Sequence, residues 1–220
     1  RELHQSLCDH PLVSSQSHTF WQLTLTAHIN TCMHILCRAY DQDTQALHLR
    51  SWLFTIREHL HLFDQEEFRR RLKDNPFVES LAPAPRKPDQ ALLEEDIRLC
   101  SPKDPLVKTL WIHRKSHVAH TEAKNMIAKR NPHDAYPLTV GNFEALLARA
   151  KAILNRYSSL FMAMTYEMQI SGHDDYQCIF TCVEEKIQRN EEAMKHLEEE
   201  INARGRVKHG DVSTEPRENQ

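Results

Sequence analysis

Glycine is scarce in this chain, with four in 220 residues. The four are scattered, and none falls in a G-x-x-x-x-G-K-[ST] loop, a G-x-G-x-x-G fingerprint or a G-x-S-x-G elbow. Phosphate-cradling loops, dinucleotide-binding folds and α/β-hydrolase chemistry are therefore excluded. The six cysteines include no C-x-x-C pair, which removes zinc-ribbon and thioredoxin spacing. Most of them lie within helical apolar patterns and read as reduced core thiols of a cytoplasmic protein. No uninterrupted apolar run approaches the ~20 residues that span a bilayer, so no membrane partner is expected. No secretory signal is visible, and a first residue of Arg1 leads us to expect that an N-terminal piece is missing. A strong charge of one sign is also lacking: the net charge is −3 and the pI about 6.6. A sequence-blind nucleic-acid coat is excluded, and any nucleic-acid contact must come from a local basic patch.

What the chain has in quantity is helix formers and histidine. Leu and Ala far outnumber Val and Ile, which favours helices. Fifteen histidines make the surface charge sensitive to pH between roughly 5 and 8. Residues 1–16 read as an irregular segment and 17–175 as a helical bundle. A long C-terminal helix is expected over 176–205, packing on the bundle or on a partner, followed by a disordered tail at 206–220. The first bundle helix runs from Ser17 to Tyr40, with Trp21, Leu25, Ile29, Cys32, Met33, Leu36 and Cys37 as its apolar stripe. Asp41-Gln-Asp-Thr is a turn and cap. A second helix carries Leu49, Trp52, Leu53, Ile56, Leu60 and Phe63 on one side. Asp64 with Glu67 resembles a capping box.

Asp89 caps a helix through Cys100 after the proline-rich connector 82–88. Asp104 with Pro105 starts a helix that should run to Lys129. Thr139 or Asn142 starts another, with Phe143, Leu146, Leu147, Ala150, Leu154, Tyr157 and Phe161 buried, broken only at Gly172. Asp174 or Asp175 caps the last helix, and Gly205 ends it. Its apolar positions Tyr176, Phe180, Val183, Ile187, Met194, Leu197 and Ile201 alternate in steps of four and three, with Asn190 at the polar seam position. This pattern serves either a core helix or an arm that docks a partner.

The segment Trp111-Ile-His-Arg-Lys-Ser-His-Val-Ala-His120 carries the chemistry. On a helical wheel His117, His120 and Lys124 fall on the same face as His113, and Arg114 stands at its margin. Trp111, Ile112, Val118, Ala119, Ala123 and Met126 occupy the opposite face, the expected core side. Leu106 and Leu110 fall on the cationic face, which suggests a cover such as a second subunit. Three uses of this face are open. It can be a solvated basic surface. His113, His117 and His120 can share one metal ion, although the helix offers no H-E-x-x-H pattern and no carboxylate partner, so no metal and no cofactor is expected. It can also act on a phosphodiester. RNA is cut without metal when its 2′-OH attacks the adjacent phosphorus. Histidine suits the base and acid roles, and arginine suits the phosphorane charge. One helix cannot surround a phosphate, but two copies across a dyad can.

Arg114-Lys-Ser-His-Val-Ala-His120 resembles the motif of the HEPN superfamily, an Arg followed after four to six residues by His. The surroundings resemble its AbiU-like, abortive-infection branch: His28-Ile-Asn-Thr, Leu36-Cys-Arg-Ala-Tyr-Asp41, Asp104-Pro-Leu-Val-Lys108, Tyr136-Pro-Leu-Thr139 and Asn155-Arg-Tyr-Ser-Ser159. The resemblance covers residues 17–178. It implies an all-α, HEPN-like bundle that dimerises so that two motifs meet, with Arg114 and His120 as catalytic residues and RNA as substrate. It further implies an antiphage or toxin-like role, controlled by a regulatory protein or antitoxin. His117, Lys115 and His113 are candidate helpers. Active members often carry Asn, Asp or His after the motif arginine, where this chain has Lys115. A non-catalytic RNA- or protein-binding module of the same fold therefore stays as the alternative, and an interaction scaffold built on the last helix as a third.

Overall fold

The computed structural model describes residues 2–114, 136–167 and 172–209, with side chains to Arg204. Among these residues there are ten α-helices, one 3-10 turn and no strand. The helices are α1 (Glu2–Asp9), α2 (Pro11–Gln16), α3 (His18–Ala39), α4 (Leu49–Glu58), α5 (Gln65–Arg71), α6 (Val78–Leu81), α7 (Gln90–Leu99), α8 (Pro105–His113), α9 (Val140–Met162) and α10 (Tyr176–His209), and the 3-10 turn Leu60–Phe63 follows α4. They fall into two compact units. One comprises residues 23–169, and the other joins residues 1–22 to 170–220.

The core of the larger unit gathers one stripe from each of its main helices. Leu36, Cys37 and Tyr40 come from the end of α3, Leu53 and Ile56 from α4, Leu93 and Ile97 from α7, Val107 and Leu110 from α8, and Leu146, Ile153 and Tyr157 from α9. The i, i+3, i+4 spacing of these residues brings each set to one side of its helix. The α3 stripe is shorter than the sequence suggested. Ile29 is 54% exposed, because within this unit the core closes only on the last turns of α3.

Helix starts follow side-chain chemistry. Asp89 accepts from the amide of Leu92, and Asp104 from those of Leu106 and Val107. Thr139 and Asn142 cap α9 together: each side chain receives the other's backbone N–H, so both residues named from the sequence take part. Such caps are worth about 1 kcal/mol each. Two expectations fail. Asp64 precedes α5 without capping it, and its carboxylate instead meets Lys87 at 2.8 Å. The start of α4 falls to His48 and Ser51, which form a reciprocal capping pair where Asp41-Gln-Asp-Thr was expected to supply the cap.

α9 also ends earlier than expected, at Met162 rather than Gly172. Ala163 takes the left-handed conformation (φ 52°), and its N–H closes on the Ser159 carbonyl. Arg71 donates to the Phe161 carbonyl and Arg86 to that of Ser159, so carbonyls of the last turn are satisfied by side chains from elsewhere in the unit. Asn155 then holds the returning chain. Its side chain donates to the Tyr166 carbonyl (3.0 Å) and accepts from the Tyr166 N–H (2.7 Å).

In the smaller unit, residues 2–16 form α1 and α2 where an irregular segment was expected. Helices of eight and six residues are too short to persist alone, and packing supplies what local propensity does not. Trp21 is buried, donates from Nε1 to the Val13 carbonyl (3.3 Å), and lies edge-on to Phe180 of α10 (5.4 Å between centroids). Ser6 and the Tyr176 hydroxyl are 3.0 Å apart, and His10 meets Glu184 at 2.7 Å. The seam of α10 is used up to Ile187. Beyond it, Met194, Leu197 and Ile201 are 57, 50 and 60% exposed. The helix also passes Gly205 and continues to His209, since a single glycine costs only about 1 kcal/mol in a long helix. Residues 210–220, including most of the expected tail, lie outside the described residues.

Of the six cysteines, Cys37 and Cys100 are core thiols, as expected. Cys8, Cys178 and Cys182 are exposed, because their faces of α1 and α10 are not covered within the smaller unit.

The turn at Ala163 generates a stability prediction. A non-glycine residue in the left-handed region costs about 1–2 kcal/mol, against roughly 0.5–1 kcal/mol for the extra chain freedom that glycine loses. Ala163→Gly should therefore raise stability by up to about 1 kcal/mol. Urea denaturation checks this, with an unchanged or lower midpoint counting against the strained turn.

Candidate functional site

α8 presents the segment singled out from the sequence, and the structure corrects the orientation of its faces. His113 has no exposed surface, and Val107 and Leu110 are buried beside it. Leu106, Leu110 and His113 share one face of the helix by its 3.6-residue period, so the core-facing side is the one expected to be cationic and covered by something such as a second subunit. Trp111 and Ile112, expected in the core, are only half-buried. Leu110 belongs to the core cluster and Leu106 packs against it, together with side chains of the chain's own α3, α4, α7 and α9. No second subunit is needed to cover them. The sequence misled because His113 was counted as polar surface. Buried imidazole is tolerated when a backbone carbonyl accepts a hydrogen bond from its ring N–H.

That carbonyl is Tyr136, 2.6 Å from His113 Nε2. A carbonyl can only accept, so the ring carries its proton on Nε2. The bond ties the end of α8 to the chain leading into α9. It also places His113, a candidate helper, beyond the reach of a ligand at the surface.

Arg114 follows at the C-terminal cap position of α8. Its guanidinium Nη1 is bonded to Asp41 Oδ1. Asp41 is nearly buried, at 11% of its side chain, whereas Arg114 keeps a third of its side chain exposed. The same Asp41 oxygen accepts from the amides of Gln42 (2.7 Å) and Asp43 (3.2 Å), a local turn that fixes the carboxylate. Burial pushes the Asp41 carboxyl upward, but the Arg114 bond and the two amides outweigh it and hold its pKa below the ordinary carboxylate value. Cys37, one turn back on α3, responds to the same surroundings. Burial raises its thiol to about 11, Arg114 pulling it down and Asp41 pushing it up, so it stays protonated and is no nucleophile at neutral pH.

Further contacts hold the Asp41 end. The Tyr40 hydroxyl donates to the Leu146 carbonyl of α9 (2.7 Å). Gln42 donates to the carbonyls of Tyr40 and Cys100 and accepts from Arg50. At the other end of α8, Asp104 pairs with Arg149 of α9 at 3.0 Å. Both ends of the helix that presents Arg114 are thus fixed by polar contacts. The arrangement yields one oriented guanidinium, partly compensated in charge and partly open, whose planar fork suits two oxygens of an anion such as phosphate.

Lys115, His117 and His120 lie outside the described residues. Of the five sequence candidates the structure describes Arg114 and His113, the first partly exposed on Asp41 and the second buried on Tyr136, and it does not bring them to one site. It adds Asp41, which had been read only as a turn residue. The run Leu36–Asp41 does carry the family resemblance, but nothing local marks Asp41 as the partner of a residue 73 positions away. Among the described residues no group of three or more His, Cys, Asp or Glu is placed to hold a metal ion. No helix among them is long and apolar enough to cross a membrane.

An all-α set of helices with a long C-terminal helix is consistent with a HEPN-like bundle. A family model described as AbiU2 matches residues 9–180, and the chain belongs to this HEPN AbiU2 family. No curated protein and no solved structure matches it.

The Asp41–Arg114 pair generates a prediction with a defined sign. Asp41 has a lowered pKa in the folded state, so its contribution is present above the unfolded value near ~4 and is lost as pH falls through the folded value. Asp41→Asn should cost about 1–2 kcal/mol at pH 7, less than a fully buried pair because Arg114 can hydrate. The gap from wild type should close as pH drops below about 4. Denaturation at several pH values measures it, and a gap that does not vary with pH would refute the pairing.

Proposed function

We propose that this chain is a HEPN-type, metal-independent endoribonuclease of an abortive-infection or toxin-like system. It acts as a homodimer in which Arg114 and His120 of two copies meet around one RNA phosphate. The observation that carries the reading is Arg114, the motif arginine of a chain in this family. Asp41 and two backbone amides fix its position while a third of the side chain remains open. Preorganised positive charge aimed at a developing phosphorane is a large catalytic contribution and needs no rearrangement during the reaction.

In the proposed reaction one His120 takes the proton of the RNA 2′-OH. The oxygen attacks phosphorus, and the 5′ oxygen leaves with a proton from the second His120. The products are a 2′,3′-cyclic phosphate and a 5′-hydroxyl. The two Arg114 side chains hold the non-bridging oxygens as charge builds. Lys115 and His117 are proposed as phosphate contacts. A regulatory protein or antitoxin is the proposed control partner, and the exposed apolar positions of α10 are a surface available to it.

A second reading is a non-catalytic RNA- or protein-binding module. It is favoured by the same ion pair, since Asp41 takes part of the Arg114 charge as a structural tie. RNA cleavage separates the two. In EDTA, wild type should cut labelled single-stranded RNA to cyclic-phosphate ends, and His120→Ala should be slower by about 10²–10⁴-fold, the usual contribution of a general acid or base. Intact RNA with a folded wild-type dimer, or equal cutting by both proteins, would favour the binding module.

A further inference from the structure

The larger unit contains a cavity of about 570 Å³ between α4, the 3-10 turn and the second half of α9. Arg114, Asp41 and His113 are not among its lining residues. Its size falls in the range that takes a small molecule. Its walls are aromatic: Trp52 from α4, Phe63 from the 3-10 turn, Tyr157 and Phe161 from α9, and Tyr166 from the returning chain.

These rings are braced by one another and by groups outside the lining. The Tyr157 hydroxyl donates to Asp96 (2.7 Å), and its ring meets that of Trp52 edge-on, 5.9 Å between centroids at 84°. The Arg71 guanidinium lies 3.6 Å from the centre of the Phe161 ring, and Phe63 packs 5.1 Å from it. Tyr166 is placed by the left-handed Ala163 and by the two Asn155 bonds to its backbone. Strained backbone persists where its surroundings impose it, and such positions cluster at ligand sites. Collapse of these rings into the cavity would break the contacts that hold them.

The chemistry of the lining selects the occupant. Among the described residues that line it there is no lysine, arginine or carboxylate, and apart from tyrosine the one ionisable side chain among them is His59. A phosphate would find no counter-charge among these residues, and the Arg71 guanidinium already lying on the Phe161 ring would repel an ammonium. Arg71 is also committed to the carbonyls of Phe161 and Leu62. Aromatic walls favour a flat ring, held by stacking or edge contacts. One polar feature is oriented: His59 Nδ1 donates to the Thr55 carbonyl (2.9 Å), so Nε2 of the neutral ring is an acceptor for a ligand N–H or O–H.

We propose that this cavity is a binding site for an uncharged, flat aromatic small molecule. The site does not depend on the reading of Arg114. The test uses the full chain and N-phenyl-1-naphthylamine, an uncharged aromatic amine whose emission rises in apolar surroundings. Saturable, one-to-one binding is expected, with a sulfonated analogue at least ten times weaker. Thr55→Phe sends a ring into the mouth from an exposed position of α4, and Leu154→Trp fills the cavity from α9. Each should weaken binding at least tenfold, with helicity and melting retained as shown by circular dichroism. Leu197→Ser, on α10, should leave binding unchanged. Binding that survives both cavity substitutions, or that never saturates, would overturn the proposal. So would absence of probe binding, and in that case loss of self-association on Thr55→Phe would assign the cavity to a side chain of a second copy.

Discussion

A helix bundle with four glycines must close its helix ends by other means, and this constraint organises the larger unit. The last carbonyls of a helix are commonly satisfied by a glycine in the left-handed conformation. Here arginines reach across from neighbouring elements instead. Arg149 of α9 takes the Leu99 carbonyl at the end of α7, Arg86 takes Ser159, and Arg71 takes both Phe161 and Leu62. A glycine cap is local, whereas an arginine cap joins two elements. Each helix end thereby becomes a tertiary contact, and the one left-handed turn among these ends falls to Ala163.

Three buried aspartates continue the same economy. Asp41, Asp96 and Asp104 pair with Arg114, Arg156 and Arg149. Buried carboxylates are costly unless paired and hydrogen-bonded, and each of these has additional donors. Asp96 receives the Tyr157 hydroxyl, Asp104 caps α8, and Asp41 holds two turn amides. The Asp104 pair is closed, with Arg149 only 19% exposed. Arg156 and Arg114 are each a third open, and the Asp41 pair differs from both others in sitting at the C-terminal end of α8. The geometry that stabilises the bundle also aims a guanidinium, and this double use underlies the functional reading of a HEPN AbiU2 chain.

Much of the helical organisation was legible from the residues. Asp89, Asp104-Pro105 and Thr139 with Asn142 marked starts that the structure keeps, because an N-cap is a contact between a side chain and amides two or three residues away. The ends were less legible. Gly172 and Gly205 looked like stops, yet α9 ends at Met162 and α10 runs past Gly205. The true end of α9 depends on Arg71, Arg86 and Asn155, residues that no local pattern connects to it. α1 and α2 were missed for a related reason: their stability resides in Trp21 and the first turns of α10.

At the site, the pattern Arg114–His120 and the family were legible in the sequence, since a short motif and its neighbouring runs need no tertiary knowledge. The sequence also determined the all-α class, through its poverty in glycine and its helical apolar periods. Tertiary structure alone decided which side of α8 faces the core. A wheel gives only relative positions, and His113 could be read as surface until Tyr136 supplied the acceptor that lets it be buried. Tertiary structure likewise decided that Asp41 holds Arg114, because an ion pair across 73 residues exists only once α3 and α8 pack together.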